Sequence, residues 1–241
     1  MASDLLVLCY HALSDCWSAA LSTTPGRFTE QLELLERRGY RGVTFTQSVT
    51  DSVEGKAVAV TFDDAFRSVI RVAEPILARF GWPATVFVPT DFAGSERPMS
   101  WPGIDHWGGE FEPELIPMSW EELDALAARG WEIGSHTCSH PRLTQVDDAA
   151  LDDELRRSKE ACEERLRRPC ESVAYPYGDH DLRVAEAARR AGYRAGGTLP
   201  KRLRARDPLR WPRVGVYYVD DLRRFKMKAS PLVRRLRGLR G

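Results

Sequence analysis

The residues best suited to chemistry occupy two short segments, a pair of adjacent aspartates and a pair of histidines four residues apart. Asp63 and Asp64 end the apolar run VAVTFDD, and His136 and His140 lie within GSHTCSH. Imidazoles at positions i and i+4 can bind one metal ion where the backbone is helical or turning. Two crowded carboxylates repel each other, which favours a bound cation or unequal protonation. Together the two segments indicate a metal site with two histidines and a carboxylate.

The third ligand of such a site has two candidates in the sequence. Asp64 is favoured because it follows an independent predicted strand, whereas Cys138 lies between the two histidines, where a buried cysteine is often a bystander. Two histidines and one carboxylate also leave open positions for water and substrate, as a catalytic metal site requires. An aspartate at the end of a strand can instead cap the next helix, so the aspartate pair alone does not define a site.

Both segments directly follow predicted strands, and so does the turn Tyr175-Pro176-Tyr177-Gly178. Short apolar runs alternate with stretches of helical periodicity along most of the chain, and no internal repeat or linker interrupts them. This alternation predicts an α/β fold with a mainly parallel sheet, which can close into a barrel. The carboxyl ends of parallel strands gather on one face, so the three segments are expected to meet there. The predicted strands are Leu5–Tyr10, Ala57–Phe62, Ala84–Val88, Trp131–Gly134, Ser172–Ala174 and Tyr193–Ala195.

Four segments, in order, resemble the polysaccharide deacetylase family (the NodB-homology domain of carbohydrate esterase family 4). They are VTFDDAFRSV, WPATVFVPT, MSWEELDALAARGWEIGSHTCSHPRL and AYPYGD, and the resemblance extends roughly from Leu5 to Tyr217. It implies a distorted (β/α) barrel in a single domain and a divalent metal ion, commonly zinc, although other divalent transition metals stay open. The implied reaction is hydrolysis of the N-acetyl group of an amino sugar in a polysaccharide, a lipid-linked intermediate or a small glycoside, giving a free amine and acetate.

The resemblance also assigns roles residue by residue. Asp63 corresponds to the catalytic base of the family, and Asp64, His136 and His140 correspond to its metal ligands. The backbone N–H of Tyr177 corresponds to a donor that stabilises the oxyanion. The chemistry is consistent, because a metal ion lowers the pKa of bound water from about 15.7 toward about 7 and polarises the carbonyl. A free carboxylate can then accept the water proton, and a backbone donor meets the developing negative charge.

The sequence departs from the family pattern at several positions. Ala65 stands where the family usually has glycine, and Ala174 stands where an arginine often orients the base. Arg213, in RWPRVGV, is the candidate substitute for that arginine, with an ordinary surface charge as the alternative. The C-terminal Leu-x-His motif, whose histidine is the general acid of many members, is missing, since no histidine follows His180.

His11, in LCYH at the end of the first predicted strand, is therefore the candidate that protonates the leaving group or contacts the substrate. The alternative is that His11 only packs beneath the following loop, and His180 is a second candidate with a helix-start role as its alternative. The long connection Asp91–Met118 carries Trp101, Trp107 and Phe111, which could stack on sugar faces or simply pack the loop.

Composition bears on partners and location. The chain has 241 residues with 35 basic and 35 acidic side chains, so its zero net charge gives no electrostatic basis for a nucleic-acid partner.

Residues 1–220 are predicted to form the catalytic domain and residues 221–241 a basic C-terminal tail. A basic run of this kind usually predicts a solvated tail, and its interleaved leucines leave open a weak contact with an anionic membrane surface as the alternative. The N-terminus lacks a basic region and a long apolar segment, which predicts a cytoplasmic chain. The oligomeric state is not specified.

Two other functions stay open beside N-deacetylation. The metal site fixes carbonyl chemistry but not the acyl carrier, so hydrolysis of another amide or of an ester is one alternative. A noncatalytic glycan-binding relative is the other, motivated by Ala174 and by the missing C-terminal histidine. The joint presence of Asp63, Asp64, His136 and His140 argues against it, because a binding module does not need these four residues as a set.

Overall fold

The computed structural model describes residues 4–200, 203 and 207–239, which alternate between strands and helices. The strands in chain order are β1 (Asp4–Tyr10), β2 (Ala12–Leu13), β3 (Ser22–Thr23), β4 (Arg41–Val43), β5 (Lys56–Phe62), β6 (Thr85–Val88), β7 (Glu132–Ser135), β8 (Ser172–Ala174), β9 (Ala195–Thr198), β10 (Trp211–Pro212) and β11 (Val214–Gly215). The helices are α1 (Pro25–Arg37), α2 (Phe45–Thr50), α3 (Glu74–Phe80), α4 (Trp120–Ala128), α5 (Asp148–Leu166), α6 (Leu182–Arg190), α7 (Leu222–Lys228) and α8 (Pro231–Leu239).

The main sheet is parallel and nearly closes into a barrel. Its strand order is β10-β9-β8-β7-β6-β5-β1-β11, with β4 beside the first half of β5. The two terminal strands of this order are separated in the chain by Arg213 alone. β10 pairs with β9, and β11 pairs with β1, so one extended segment joins the two ends of the sheet. The prediction of a single-domain α/β fold with a distorted barrel is confirmed.

The strands are apolar on both faces because each face is covered. In β1 and β5, successive side chains point to opposite sides of the sheet. Leu8 and Val60 belong to the core between the sheet and the helices. Val7 and Ala59 belong to a smaller cluster inside the barrel, whose other members are Val43, Phe45, Ala57, Phe87, Ala174 and Ala195. Small side chains in this inner cluster leave space for polar groups at the carboxyl ends of the strands.

The connection between β6 and α4 forms a compact lobe with its own apolar cluster. Met99, Ile104 and Leu115 pack there against Trp17 and Phe66, and Trp101 belongs to the same cluster. Trp107 and Phe111 pack against it as well, so these two aromatic side chains pack the loop. Trp101 also reaches the strand ends, where it contributes to the site described below.

The basic C-terminal segment is helical and packs on the barrel. Phe225 and Ala229 are fully buried in the main core, and Lys228 forms a salt bridge with the buried Asp220. Further along, Arg234 binds the carboxylate of Asp4 at the start of β1. Residues 222–239 are therefore part of the packed structure, while Arg240 and Gly241 lie outside the described residues. No helix in the described ranges has the length and apolar character needed to cross a membrane.

Candidate metal centre and active site

The backbone at the end of β5 turns both aspartates toward one site. The N–H of Asp63 still donates to the carbonyl of Tyr10, as in the sheet. Asp64 and Ala65 then adopt left-handed conformations with φ of 68° and 51°. Such conformations cost about 1–2 kcal/mol for a residue with a Cβ and often mark functional sites. They break the strand alternation that would otherwise send the two carboxylates to opposite faces.

Asp64, His136 and His140 form a compact cluster of metal-ligand atoms. Asp64 Oδ1 lies 3.3 Å from His136 Nε2 and 3.4 Å from His140 Nε2, and all three side chains are buried. Asp64 Oδ1 has no hydrogen-bond partner among the described residues. His136 Nδ1 lies 2.8 Å from the carbonyl oxygen of Ala174, which can only accept, so Nδ1 carries the proton and Nε2 presents its lone pair to Asp64.

This cluster fits a divalent cation. A lone pair of His136 faces a carboxylate oxygen of Asp64, and such electron-rich atoms need a cation or a proton between them. Burial alone would raise the pKa of Asp64, but the neighbouring imidazoles of His136 and His140 lower that pKa below its usual range. Asp64 is therefore ionised in this environment, and two histidines with one carboxylate form an open catalytic donor set.

Cys138 lies away from the metal cluster. Its Sγ is 3.6 Å from the carbonyl oxygen of Glu154 on α5, and burial raises the pKa of the thiol to about 11. A metal ligand must be a thiolate, which is the form that this environment disfavours. The geometry therefore favours Asp64 over Cys138 as the third ligand.

Glu154 holds the loop that connects the two histidines. Its Oε2 accepts hydrogen bonds from the backbone N–H groups of Cys138 and Ser139 at 2.7 and 3.0 Å, and its Oε1 accepts from the Ser139 hydroxyl at 2.5 Å. Within this loop, Thr137 and His140 have φ of 66° and 62°, and Thr137 is β-branched, for which a left-handed conformation is unusual. The carboxylate thus compensates for a strained loop whose shape sets the separation of the histidine ligands.

Replacing this carboxylate is expected to weaken metal binding. We predict that Glu154→Ala raises the metal Kd about 10- to 100-fold, the usual effect of removing a group that orients metal ligands. Competition with a chromophoric chelator would measure the Kd. Glu160→Ala is the matched control, because Glu160 lies on the exposed side of α5 and pairs with Arg156. An unchanged Kd in Glu154→Ala would show that the loop keeps its shape without this side chain.

Arg213 binds the carboxylate of Asp63 in a bidentate pair. Its Nη1 and Nη2 donate to Asp63 Oδ1 and Oδ2 at 2.6 and 2.8 Å, and Nη1 also donates to the Thr61 hydroxyl at 3.0 Å. Gly197 leaves room for the side chain of Arg213, since a Cβ at this position would lie 2.7 Å from Arg213 Nε. Arg213 is 1% exposed, so it is not a surface charge. It contacts the proposed base from the segment that closes the barrel.

The charge of Arg213 controls the ionisation of Asp63. Burial alone would raise the pKa of Asp63, but the charge of Arg213 is the largest of the effects that lower it to about 2. Cys9 Sγ adds a contact of 3.3 Å to Asp63 Oδ2. Burial raises the pKa of this thiol well above its ordinary value, so Cys9 is a neutral donor. Asp63 is thus held as a carboxylate in a fixed orientation.

His11 lies beside Asp63 in the same pocket. A ring nitrogen of His11, Cys9 Sγ and a carboxylate oxygen of Asp63 all lie within 4.8 Å of one another. His11 Nδ1 has no hydrogen-bond partner within the part of the chain that the structure describes. Burial lowers the pKa of His11, although Asp64 and Asp63 act in the opposite direction. Because Asp63 is already bound by Arg213 and Cys9 is protonated, these three residues do not form a second metal site.

Tyr177 and Trp101 complete the pocket, which has a volume of about 380 Å³ and also contains His11, Asp63, Asp64, His136 and His140. Tyr177 has φ of 60°, and the N–H groups that close its turn belong to Gly178 and Asp179, so the N–H of Tyr177 is not used there. Its hydroxyl donates to the carbonyl of Pro102 at 3.0 Å. The ring of Trp101 stacks on His140 with centroids 4.3 Å apart.

The other predicted candidates lie elsewhere, and some pocket residues were not predicted. His180 contacts the carbonyl of Gly178 and stacks on Tyr175, outside the pocket lining. Tyr217 and Leu199 line the pocket, but nothing in their sequence context distinguishes them from ordinary core residues. Cys9 could have been suspected from its place two residues before His11, because alternate residues of a strand share a face.

A parallel barrel whose strand ends hold an Asp-His-His cluster beside an arginine-bound carboxylate defines a metal-dependent hydrolase site. The sequence model of the family described as polysaccharide deacetylase matches residues 50–196, more than half of the chain. The chain therefore belongs to the polysaccharide deacetylase family. The family and the hydrolase class expected from the sequence, a carbohydrate N-deacetylase, are confirmed.

Individual relatives agree with this family. YxkH of Bacillus subtilis, named as a polysaccharide deacetylase, is 24% identical over 212 residues, which are 85% of this chain and 68% of that protein. The poly-β-1,6-N-acetyl-D-glucosamine N-deacetylase of Staphylococcus aureus is 23% identical over 194 residues, covering 75% of this chain and 62% of that protein. The deacetylase PplD of Streptococcus pyogenes, solved in complex with acetate, has the same fold with a TM-score of 0.77, 21% identity, and coverage of 94% and 98% of the two chains.

Proposed function

We propose that this chain removes the acetyl group from N-acetylglucosamine units of a glycan polymer, leaving a free amine and acetate. The observation that carries the proposal is the single pocket in which the Asp64, His136 and His140 ligands lie beside the Asp63–Arg213 pair. The Staphylococcus aureus relative, named for a β-1,6-linked polymer of this sugar, supports the choice of substrate. The chain spans 62% of that relative's length, so the substrate and the linkage are part of the proposal.

Zinc is the proposed metal ion. Two ligands bound at about 2.0–2.1 Å to a tetrahedral ion lie about 3.3–3.4 Å apart. The separations of 3.3 and 3.4 Å from Asp64 Oδ1 to the two Nε2 atoms match that spacing and support this choice. A divalent ion held by these atoms would supply Lewis-acid polarisation of the acyl carbonyl.

The side chains around the metal ligands have complementary roles in the proposed reaction. Asp63 accepts the proton of the attacking water, since it is ionised and its oxygens keep lone pairs besides those used by Arg213. The N–H of Tyr177 donates to the oxygen on which negative charge develops. His11 delivers a proton to the departing nitrogen, because an amide anion is a very poor leaving group. The proximity of His11 to Asp63 supports the passage of that proton from the base to the leaving group.

The metal assignment has a direct test. Asp64→Asn is expected to lower zinc affinity at least about 100-fold, because a neutral amide oxygen is a much weaker ligand than a carboxylate. Elemental analysis after dialysis and the shift of Tm on adding zinc would both report the loss. Cys138→Ala should bind zinc as the unmodified protein does. If Cys138→Ala loses the metal and Asp64→Asn keeps it, the ligand assignment is wrong.

The role of His11 can be separated from substrate binding by the choice of leaving group. His11→Ala is expected to lower kcat on an N-acetylated sugar about 10²- to 10⁴-fold, as for loss of a general acid. The same variant should keep most of its activity on an aryl acetate, because a phenolate leaves without being protonated first. Unchanged kcat and KM on the sugar would remove His11 from the mechanism, and equal losses on both substrates would indicate a structural role.

The function itself is tested by acetate release. The zinc-loaded protein should release acetate from β-1,6-linked N-acetylglucosamine oligomers, and matched β-1,4-linked oligomers would test the linkage. Asp63→Asn provides the background rate. Release from neither oligomer, together with hydrolysis of a different amide or ester, would favour the alternative acyl substrates. Oligomer binding without turnover would favour the noncatalytic glycan-binding alternative.

A further inference from the structure

Helix α8 is oriented with apolar side chains toward solvent. Leu232 and Leu236, four residues apart and therefore on one face, are 67% and 48% exposed. The side chain of Arg234, on the other face, is only 13% exposed. It donates to the carboxylate of Asp4 and to the carbonyl of Leu5, both at 2.6 Å. An amphipathic helix of a globular domain normally buries its apolar face instead.

The segment that carries this leucine pair is strongly basic. The sequence has no acidic residue from Leu222 to Gly241. Arg235, between the two leucines in sequence, is exposed, as are Arg223 and Lys226 on the neighbouring helix α7. Within the described part of the chain these three cations form no salt bridge, whereas Lys228 pairs with Asp220 and Arg234 pairs with Asp4. Exposed Met227 adds a further apolar side chain, 57% exposed.

The exposed leucines and the exposed cations together favour one kind of binding partner. A polyanion such as a nucleic acid would satisfy the arginines but would leave the leucines in water. An anionic lipid surface satisfies both, because its headgroups attract the cations and its acyl boundary accepts the leucines. We propose that the face formed by Leu232, Arg235 and Leu236, with the exposed cations of α7, binds the surface of an anionic membrane.

The position of α8 fixes how the bound molecule would be oriented. Arg234 attaches the helix to Asp4 and Leu5, at the amino end of β1, whereas His11 follows the carboxyl end of the same strand. A seven-residue strand is about 20 Å long, so the membrane face and the pocket lie at opposite ends of the barrel. Membrane binding would therefore leave the pocket directed away from the bilayer, toward substrates that are not embedded in it.

Vesicle sedimentation with the full chain tests this proposal. We expect binding to vesicles of phosphatidylcholine with about a third phosphatidylglycerol at low salt, weaker binding at higher salt, and little binding to pure phosphatidylcholine. Arg235→Gln should lower the partition coefficient about fivefold, the effect of one basic residue at such a surface. Leu232→Ser/Leu236→Ser should lower it further, and both variants should keep wild-type rates on soluble substrate, which also verifies their folding.

Matched controls lie on other faces of the molecule. Leu182→Ser removes a leucine that is 71% exposed on α6, and Arg97→Gln removes an exposed arginine of the lobe, so neither should change vesicle binding. Equal binding to neutral and anionic vesicles, or no sedimentation with either, would overturn the proposal. So would a wild-type dimer in solution that Leu232→Ser/Leu236→Ser converts to a monomer, because the leucine face would then be a contact between copies of the chain.

Discussion

Asp63→Asn is expected to lower kcat for amide hydrolysis about 10²- to 10⁴-fold while the protein keeps its metal ion. The neutral amide of asparagine cannot accept the water proton. Asp63 is also not one of the three residues, Asp64, His136 and His140, whose ligand atoms converge on the metal position. Side-by-side assays of acetate release and of metal content after dialysis would measure the two effects separately.

The reciprocal variant provides the control for this separation. Asp64→Asn should lose metal first and activity as a consequence, so excess zinc should restore part of its rate, whereas no zinc concentration should restore Asp63→Asn. If both variants lose metal equally, the division between base and ligand is wrong. Because Asp63→Asn also leaves the guanidinium of Arg213 without its countercharge, its Tm must be measured beside its activity.

The second large effect is expected for Arg213→Met, which should destabilise the fold by about 3–5 kcal/mol and also lower kcat. The substitution leaves the buried carboxylate of Asp63 without its cation, and that carboxylate then favours the protonated form, which is not a base. Urea unfolding would give the change in stability. Arg194→Met is the control, because its salt bridge with Glu171 is largely exposed and should contribute less than about 1 kcal/mol.

A double variant distinguishes the loss of the pair from the loss of packing. Asp63→Asn/Arg213→Met removes both charges, so it should recover much of the stability that Arg213→Met loses, and it should remain inactive.

The dependence of stability on acid pH offers a second measurement of the same pair. The charge of Arg213 is the main reason that the pKa of Asp63 is about 2, below that of an unfolded aspartate near about 3.9. The stabilisation from this ionised pair is therefore complete above pH 4 or so and is lost as the pH falls toward about 2. Arg213→Met should lack that acid-dependent contribution, and an unchanged acid profile would contradict the coupling.

The metal ligands could be predicted from sequence because each follows a strand that is easy to recognise. β5 is largely apolar, β7 (Glu132–Ser135) is a short buried strand around Ile133, and parallel strands deliver their carboxyl ends to the same edge. The spacing of His136 and His140 within a single loop then requires only a local turn. What the sequence does not reveal is how that turn is stabilised, since Glu154 lies in a helix whose many charged residues look alike.

The contact between Arg213 and Asp63 could not be predicted from local sequence patterns. It lies 150 residues from Asp63, and its contact depends on a strand pairing that brings the end of the chain against its beginning. β10 and β11 have two residues each, too short for an apolar pattern to register. The basic composition of helices α7 and α8 predicted a solvated segment. In the structure, Phe225 and Ala229 instead pack α7 into the main core.

The segment that closes the barrel, residues 211–215, is synthesised after all three metal ligands, so the active site is completed late. Only two residue pairs connect β11 to β1 and two connect β10 to β9, with Arg213 between them. A nascent chain that has not yet released this segment from the ribosome has every metal ligand but an uncompensated Asp63. Since short peripheral pairings are also the first to open in native-state fluctuations, hydrogen exchange at this seam would report the fraction of molecules in which Arg213 is held against Asp63. Formation of this last seam and the fixed orientation of the base are thus a single event.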